Sequence, residues 1–291
     1  MWLFCWLVLA STGLAPSAAR SSPPQRLVSI NLCSDQLLLL LSKPELIASV
    51  TYLAANPQVS PLAKAARGIP INYGQTEEIL RFKPDLVLAS SLTTHSTNAL
   101  LQKLGIPVLV VPVANNIQDI RKNIHRVARA IGQTERAAEL LRQFDRNLHA
   151  VGHPPSPNAA LAALYRENNI LYGANTLPGT FIAAAGLKNL ADRLHLDGYS
   201  DLPLEILIEQ QPDLVISGSG SARAGSGIRA YRNLAHPALL ELIATRQWVQ
   251  VPERYWACGS PAIAKAIAVV AAAHQKWQES QTSPEDSHGT P

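Results

Sequence analysis

Two glutamates occupy matching places in two similar stretches of the sequence. Glu77 lies in QTEEILRFKPDLVLAS and Glu205 lies in PLEILIEQQPDLVISG, and each precedes a Pro-Asp-Leu-Val by seven residues. The offset between them is 128 residues (205 minus 77). A carboxylate in the first turn of a predicted helix interacts favourably with the helix dipole, and it can also pair bidentately with an arginine of a partner. The repeat predicts two related lobes with one such carboxylate on each.

The sequence lacks the spacings that common catalytic sites need. Ser219 lies directly between two glycines in SGSGS, whereas a nucleophile elbow needs one residue between the serine and each glycine. Where a dinucleotide-binding Gly-x-Gly-x-x-Gly would follow the first strand, the sequence reads NLCSDQ. We therefore predict a protein that is not an enzyme and has no resident cofactor, with a secreted α/β enzyme kept as an alternative.

The N-terminal residues have the pattern of a secretory signal. Residues 2–10, WLFCWLVLA, are an apolar run that is too short to span a membrane, and small residues gather toward Ala19. No Lys or Arg precedes the run, which departs from the usual signal pattern. We predict that residues 1–19 are a signal peptide, that cleavage follows Ala19, and that the mature protein is secreted to a bacterial periplasm.

Two cysteines, Cys33 and Cys258, remain after this leader is removed. They lie far apart, and neither they nor the eight histidines have the spacing of a metal site. Capture of free metal ions is therefore kept only as an alternative. The periplasm permits disulfides, but the sequence leaves open whether the two cysteines are paired or are buried free thiols.

Short apolar runs of strand length alternate with helical patterns along the chain, which predicts an α/β fold with mostly parallel sheets flanked by helices. The runs include LVSIN, DLVLAS and PVLVVP in the first half and DLVISGSG and QWVQV in the second. Between the halves, TERAAELLRQFDRNLHAV has apolar residues at helical spacing and reaches about 27 Å as a helix. The predicted units are lobes at 26–133 and 158–279, a connecting helix at 134–152 and a disordered polar tail at 280–291.

The composition excludes several classes of protein. The 291 residues are 47% hydrophobic and 16% charged, and this much apolar material excludes a disordered or collagen-like chain. No stretch of about 20 apolar residues occurs, so a polytopic membrane protein is excluded. The formal net charge is +4 without a dense basic block, and we therefore expect no binding to nucleic acid.

In the order and spacing of its pieces, the sequence resembles the periplasmic substrate-binding proteins of ABC importers that carry cobalamin, ferric siderophores and haem. The resemblance covers roughly residues 26–277 and rests on the helical link, the two Glu-x6-Pro-Asp-Leu-Val elements and the segments RLVSINLCSDQLL, LLQKLGIPVLVVP, PGTFIAAAGLKNLAD and YWACGSP. It implies two lobes with a ligand cleft between them, a monomer, a metal chelate as ligand, and an inner-membrane permease with its ATPase as partner. In that family one glutamate on each lobe docks onto permease arginines, so the resemblance assigns permease docking to Glu77 and Glu205.

The ligand is expected where strands end and loops face the cleft. Aromatic side chains there could stack on a macrocycle, and Arg166 or Arg223 could pair with an anionic chelate. His95 could hydrogen-bond in the cleft or coordinate the metal of the chelate. The candidate residues are Cys33, Ser34, Tyr52, Tyr73, Gln75, Ser91 and His95 in the first lobe, and Arg166, Tyr172, Asn175, Tyr199, Arg223, Tyr255 and Trp256 in the second. The sequence leaves the choice among ferric siderophore, cobalamin and haem open.

Overall fold

The computed structural model describes residues 22–152 except Leu92, Thr94 and the side chain of His95, and then residues 156–166, 169–218 and 236–282 except the side chain of Ile243. The signal peptide predicted at 1–19 and the candidate Arg223 lie outside the described residues. In the part that is described, no helix has the length and apolar character needed to cross a membrane.

The first lobe is built around a five-stranded sheet in the order β3-β2-β1-β4-β5, and all of its strand pairs are parallel. Its central strands are apolar on both faces because helices cover both sides of the sheet. The strands are β1 (Leu27–Ser29), β2 (Ile47–Thr51), β3 (Ile71–Asn72), β4 (Leu86–Ser90) and β5 (Val108–Val111). The helices are α1 (Leu32–Leu41), α2 (Thr76–Arg81), α3 (His95–Lys103) and α4 (Ile117–Ala130).

The second lobe repeats the plan with a four-stranded parallel sheet in the order β11-β10-β6-β8, together with an antiparallel pair, β7 and β9. The strands are β6 (Leu161–Leu164), β7 (Ile170–Tyr172), β8 (Lys188–Asn189), β9 (Tyr199–Asp201), β10 (Leu214–Gly218) and β11 (Gln247–Val251). The helices are α6 (Leu177–Ala184), α7 (Leu190–Arg193), α8 (Leu204–Gln210), α9 (Pro237–Thr245) and α10 (Ile263–Thr282). The α/β fold class predicted from the sequence is confirmed.

The helix α5 (Thr134–Val151) runs between the two lobes for 18 residues. Its buried face carries Ala137, Leu141 and Phe144 at helical spacing, and it packs against α4 of the first lobe and α10 of the second. One apolar cluster continues from Leu27 in the first sheet through Phe144 to Leu214 in the second. The lobes are therefore joined by shared core packing as well as by the chain, and the boundaries at 26–133 and 158–279 stay predictions.

The last helix reaches into the segment 280–291, for which the sequence predicts a disordered polar tail. It continues to Thr282, so residues 280–282, which were assigned to the polar tail, are helical. A lack of apolar side chains does not end a helix that is already anchored, because each further residue adds a backbone hydrogen bond without a new nucleation cost. The hydroxyls of Ser280 and Thr282 donate to the carbonyls of Trp277 at 2.7 Å and Glu279 at 3.0 Å. Gln275 donates a hydrogen bond of 3.0 Å to Glu279 one turn later. Residues 283–291 of the predicted tail lie outside the described residues.

Candidate functional site

A cavity of about 290 Å³ lies between the lobes, where strands of both sheets reach their carboxyl ends. The first lobe supplies the start of α1 and the residues that end or follow β4 and β5, and the second supplies residues that follow β6, β7 and β11. Ligands of parallel α/β sheets bind at these strand ends because the loops there converge. The volume is at the small end for ligand pockets, so a macrocyclic ligand would also occupy the open mouth of the cavity.

Cys33 and Cys258 form a disulfide beside this cavity, with Cα atoms 5.1 Å apart. Cys33 lies in the first turn of α1, where Asn31 caps the helix by accepting the Cys33 N–H at 2.9 Å. Cys258 is buried in the loop that precedes α10. The sequence left open whether these cysteines are paired, and the structure shows that they are. The bond joins one lobe to the other across 225 residues of sequence.

The lobes also touch directly next to the disulfide. A Cβ atom placed on Gly259 would lie 2.3 Å from the Cβ of Ala114, which leads into α4 of the first lobe. The hydroxyl of Thr180 in α6 donates to the carbonyl of Asn115 at 3.2 Å. The floor of the cavity is therefore a tight contact between the two lobes.

Aromatic rings form the second-lobe wall of the cavity. Tyr172 makes edge contacts with Tyr199 at 5.1 Å and with Trp256 at 5.9 Å between ring centroids. Trp256 is only 6% exposed, and its indole N–H donates to the carbonyl of Val251 at 3.1 Å, so the ring is fixed. Tyr199 is 63% exposed. The wall therefore combines a rigid base with an accessible phenol.

A second aromatic pair lies on the first lobe, outside the cavity lining. Tyr52 follows β2 and Tyr73 follows β3, and their rings stack at 5.0 Å while remaining 48% and 59% exposed. The cavity lies instead at the ends of β1, β4 and β5. These tyrosines are thus available to a ligand that extends beyond the cavity along the same edge of the sheet.

Arg166 and Glu253 are the charged side chains among the described residues that line the cavity, and they form an ion pair between Nη1 and Oε1. The guanidinium carbon of Arg166 lies 5.6 Å from the centre of the Trp256 ring. Arg166 was predicted from the sequence as the partner of an anionic chelate, whereas Glu253 was not predicted. The signal that could have found Glu253 is its position two residues after the strand QWVQV, because Arg166 holds the same place after β6.

The structure brings six of the candidates together at the cavity: Cys33, Ser34, Arg166, Tyr172, Tyr199 and Trp256. It does not bring Tyr52, Tyr73, Gln75, Ser91, Asn175 or Tyr255 into the lining. The hydroxyl of Ser34 donates to Asn31 at 3.0 Å, so part of its hydrogen-bonding capacity serves the cap of α1.

The other candidates have local partners or lie at the surface. Asn175 donates to the carboxylate of Asp197 at 2.9 Å, and Ser91 accepts from the N–H of Val113 at 3.3 Å. The ring of Tyr255 faces two cations of its own lobe, Arg254 and Lys265. Gln75 is exposed just before α2. His95 begins α3, and its side chain is outside the described part of the structure.

In the described residues no group of three or more His, Cys, Asp or Glu side chains converges as metal ligands would. Capture of a bare metal ion therefore has no ligand set in that part of the chain. A chelate brings its own donor atoms, and it needs from the protein only surfaces that match its faces and its peripheral groups.

The buried carboxyl of Asp35 lies in α1, two residues after Cys33. It accepts hydrogen bonds from the backbone N–H of Thr51 at 3.1 Å and from the Thr51 hydroxyl at 2.5 Å. Burial raises the pKa of Asp35 from 3.8 to about 7, although the hydrogen bonds from Thr51 and Ser29 act in the opposite direction. A pKa in this range means that the carboxyl changes charge near neutral pH, in a helix whose first turn lines the cavity.

The two repeat glutamates are exposed at equivalent places. Glu77 lies in the first turn of α2, which leads into β4, and Glu205 lies in the first turn of α8, which leads into β10. The neighbouring Glu78 accepts the backbone N–H of Tyr73 at 2.8 Å and is half-buried. Of the neighbours Glu77 and Glu78, Glu77 is thus the one with an accessible carboxylate.

Residues 27–233 match the family of periplasmic binding proteins. Cobalamin-binding proteins of two Halobacterium salinarum strains are 27% identical over 210 residues, which cover 69% of this chain and 56% of theirs. The match thus spans little more than half the length of these curated relatives.

The solved structures that share the fold include two periplasmic binding proteins. The apo periplasmic heme-binding protein RhuT from Roseiflexus sp. RS-1 is 20% identical with a TM-score of 0.69, covering 87% of this chain and 98% of that one. The periplasmic vitamin B12 binding protein BtuF of Vibrio cholerae is 18% identical with a TM-score of 0.62, covering 88% and 99%.

Proposed function

This chain belongs to the family of periplasmic binding proteins, which bind substrates and are not enzymes, and we propose that it captures a metal chelate between its lobes and delivers it to the permease of an ABC importer. The observation that carries this proposal is the cavity lined by strand ends of both lobes. A ligand that contacts both walls stabilises one arrangement of the lobes, and a permease can recognise that arrangement.

We propose a cobalamin-type corrinoid as the ligand. The described charged residues of the cavity wall are paired with each other, which suits a ligand with uncharged peripheral groups. The exposed tyrosine pair at Tyr52 and Tyr73 and the wall at Tyr172 and Tyr199 offer apolar faces on both lobes for a ring system. The names of the Halobacterium relatives support the same ligand class.

Haem is the second candidate, because one side chain has the chemistry that it needs. The phenol of Tyr199 lines the cavity and is 63% exposed, and tyrosine oxygen is a known axial ligand of haem iron. Haem also carries two carboxylates, however, and these would meet a cavity wall whose described arginine is already paired with Glu253. Because the haem carboxylates lack a matching cation in the described cavity wall, we rank haem after a corrinoid as the ligand.

Delivery is proposed to use Glu77 and Glu205. Each is exposed in the first turn of a helix and none of the described hydrogen bonds or ion pairs involves its carboxylate. Bidentate pairing with permease arginines would engage one carboxylate from each lobe. We also propose that the predicted signal at 1–19 directs the protein to the periplasm, where such a permease is accessible.

Chelate uptake by cells of the source organism tests this function. Cells that lack the gene should lose uptake of one chelate, and the wild-type gene should restore it. A gene with both Glu77→Arg and Glu205→Arg should not restore uptake, while the purified variant should bind the chelate as the wild type does. The matched control is Glu209→Arg, an exposed α8 residue one turn from Glu205. Unchanged uptake of every chelate in the deletion strain would contradict the proposal.

A further inference from the structure

Three parallel strands end side by side beneath the ion pair in the cavity. Their order is β11-β10-β6, so β10 lies in the middle. Arg166 comes two residues after β6, Glu253 comes two residues after β11, and β10 ends at Gly218. The ion pair therefore bridges over the end of the central strand. A Cβ atom on Gly218 would lie 2.7 Å from Oε1 of Glu253, so glycine is needed there for the carboxylate to reach Arg166.

Both members of the pair are held in place by other groups of the second lobe. The backbone N–H of Arg166 donates to the carbonyl of Ile170 at 2.9 Å, and its guanidinium lies over the Trp256 ring. The carbonyl of Glu253 accepts the N–H groups of Trp256 at 2.9 Å and Ala257 at 2.7 Å. The side chains are 19% and 26% exposed. A preorganised pair of this kind offers N–H donors and carboxylate acceptors within one small area of the wall.

We propose that the Arg166–Glu253 pair is a subsite for a carboxamide group of the ligand. A carboxamide has an acceptor oxygen and two N–H donors, so its oxygen can accept from the guanidinium while its N–H donates to the Glu253 carboxylate. A ligand carboxylate at the same place has no proton to donate and would face the negative charge of Glu253 in a partly desolvated site. The pair therefore selects uncharged amides over the matching acids.

This proposal rests on the chelate-binding function and adds the chemical class of the peripheral groups that the site recognises. A site that must hydrogen-bond a substrate group rejects an analogue that leaves its own polar groups unpaired. Glu253 is the specificity-determining member, because its negative charge disfavours a ligand carboxylate next to Arg166 and its oxygens accept from an amide N–H.

Equilibrium binding of amide and acid forms of one chelate tests the subsite. The probes are cyanocobalamin and its separated monocarboxylic acids, in each of which one peripheral amide has been hydrolysed. The wild-type full chain should bind at least one of these acids about tenfold more weakly than the amide form. Glu253→Gln should reduce that ratio to near one, and Glu209→Gln should leave it unchanged. If the chain binds a porphyrin instead, haem and its bis-amide replace the corrinoid pair, and the bis-amide should bind more tightly.

A second variant guards against failure of Glu253→Gln to fold. Gly218→Ala displaces the carboxylate without removing it and should also lose the amide preference. If the wild type binds the amide form and every acid with equal affinity, the subsite is overturned while chelate capture stands. The same holds if Glu253→Gln keeps the full wild-type preference for the amide form. A wild-type chain that binds neither the corrinoids nor the porphyrins would overturn the subsite, and one that also binds no ferric siderophore would overturn the capture function as well.

Discussion

Cys33 and Cys258 are joined by a disulfide that connects the first turn of α1 in one lobe to the loop before α10 in the other. The bond lies beside the cavity, close to the contact between Gly259 and Ala114. The lobes are therefore held by a covalent link at the cavity floor in addition to α5. This arrangement favours small adjustments of the cleft over wide opening.

Replacing both cysteines should loosen this floor. Cys33→Ala with Cys258→Ala removes a cross-link of long sequence separation, and such cross-links typically contribute about 2–4 kcal/mol to the free energy of unfolding. Urea denaturation of the double variant should show a loss of that size, and reduction of the wild type should reproduce it. Chelate affinity should fall as well, because the cavity wall becomes less preorganised. Equal free energies of unfolding for the oxidised wild type and the double variant would contradict a stabilising disulfide between the lobes.

The contact beneath the cavity can be tested by a paired substitution. Gly259→Ala places a methyl group where the Ala114 methyl lies, at a calculated separation of 2.3 Å, so the lobes must shift apart. We expect a loss of about 1–3 kcal/mol in the free energy of unfolding, as for other overpacked sites. Adding Ala114→Gly should recover part of that loss. Additive losses in the double variant would show that the two residues do not meet.

The raised pKa of Asp35 predicts how stability changes with pH. Between pH 4 and 7 the folded protein keeps a proton on this carboxyl that the unfolded chain has lost, so this group makes stability fall as pH rises, by up to about 1.4 kcal/mol per pH unit. Asp35→Asn removes this titration and can keep both hydrogen bonds to Thr51. The difference in free energy of unfolding between the variant and the wild type should therefore grow in favour of the variant from pH 5 to pH 8. A difference that stays constant over this range would contradict a pKa near 7.

The aromatic wall should contribute directly to affinity. Tyr199→Ala removes an exposed ring of the cavity lining and should weaken chelate binding tenfold or more, as measured by titration of tryptophan fluorescence. Tyr255→Ala is the matched control, because that ring packs on Arg254 and Lys265 outside the lining. Equal effects of the two variants would show that the ligand does not contact Tyr199.

The fold could be predicted from sequence to a large extent because its signals are local. Strand-length apolar runs and helical periodicity each depend on a few neighbouring residues, and the stripe at Ala137, Leu141 and Phe144 was sufficient to predict α5. The end of α10 differs from the sequence prediction because a polar composition alone does not distinguish a disordered tail from the last turn of an anchored helix. The helix continues there because it is already anchored by its buried face, and the hydroxyls of Ser280 and Thr282 bond to carbonyls of the preceding turn.

The site could be predicted only in part, because its geometry depends on strand order. Arg166 and Glu253 meet over Gly218 because β10 lies between β6 and β11. No local pattern in the sequence indicates this strand order. The pairing of Cys33 with Cys258 likewise depends on how the lobes approach each other. Tyr255 and Trp256 are adjacent in sequence, yet only Trp256 lines the cavity.

The most direct test of chelate capture is a titration of the purified wild-type chain with cyanocobalamin, haem and a ferric siderophore, each followed by tryptophan fluorescence and calorimetry. The account predicts saturable binding of one chelate per chain with a Kd below the micromolar range, with cyanocobalamin as the tightest ligand. The absence of saturable binding to all three would contradict it.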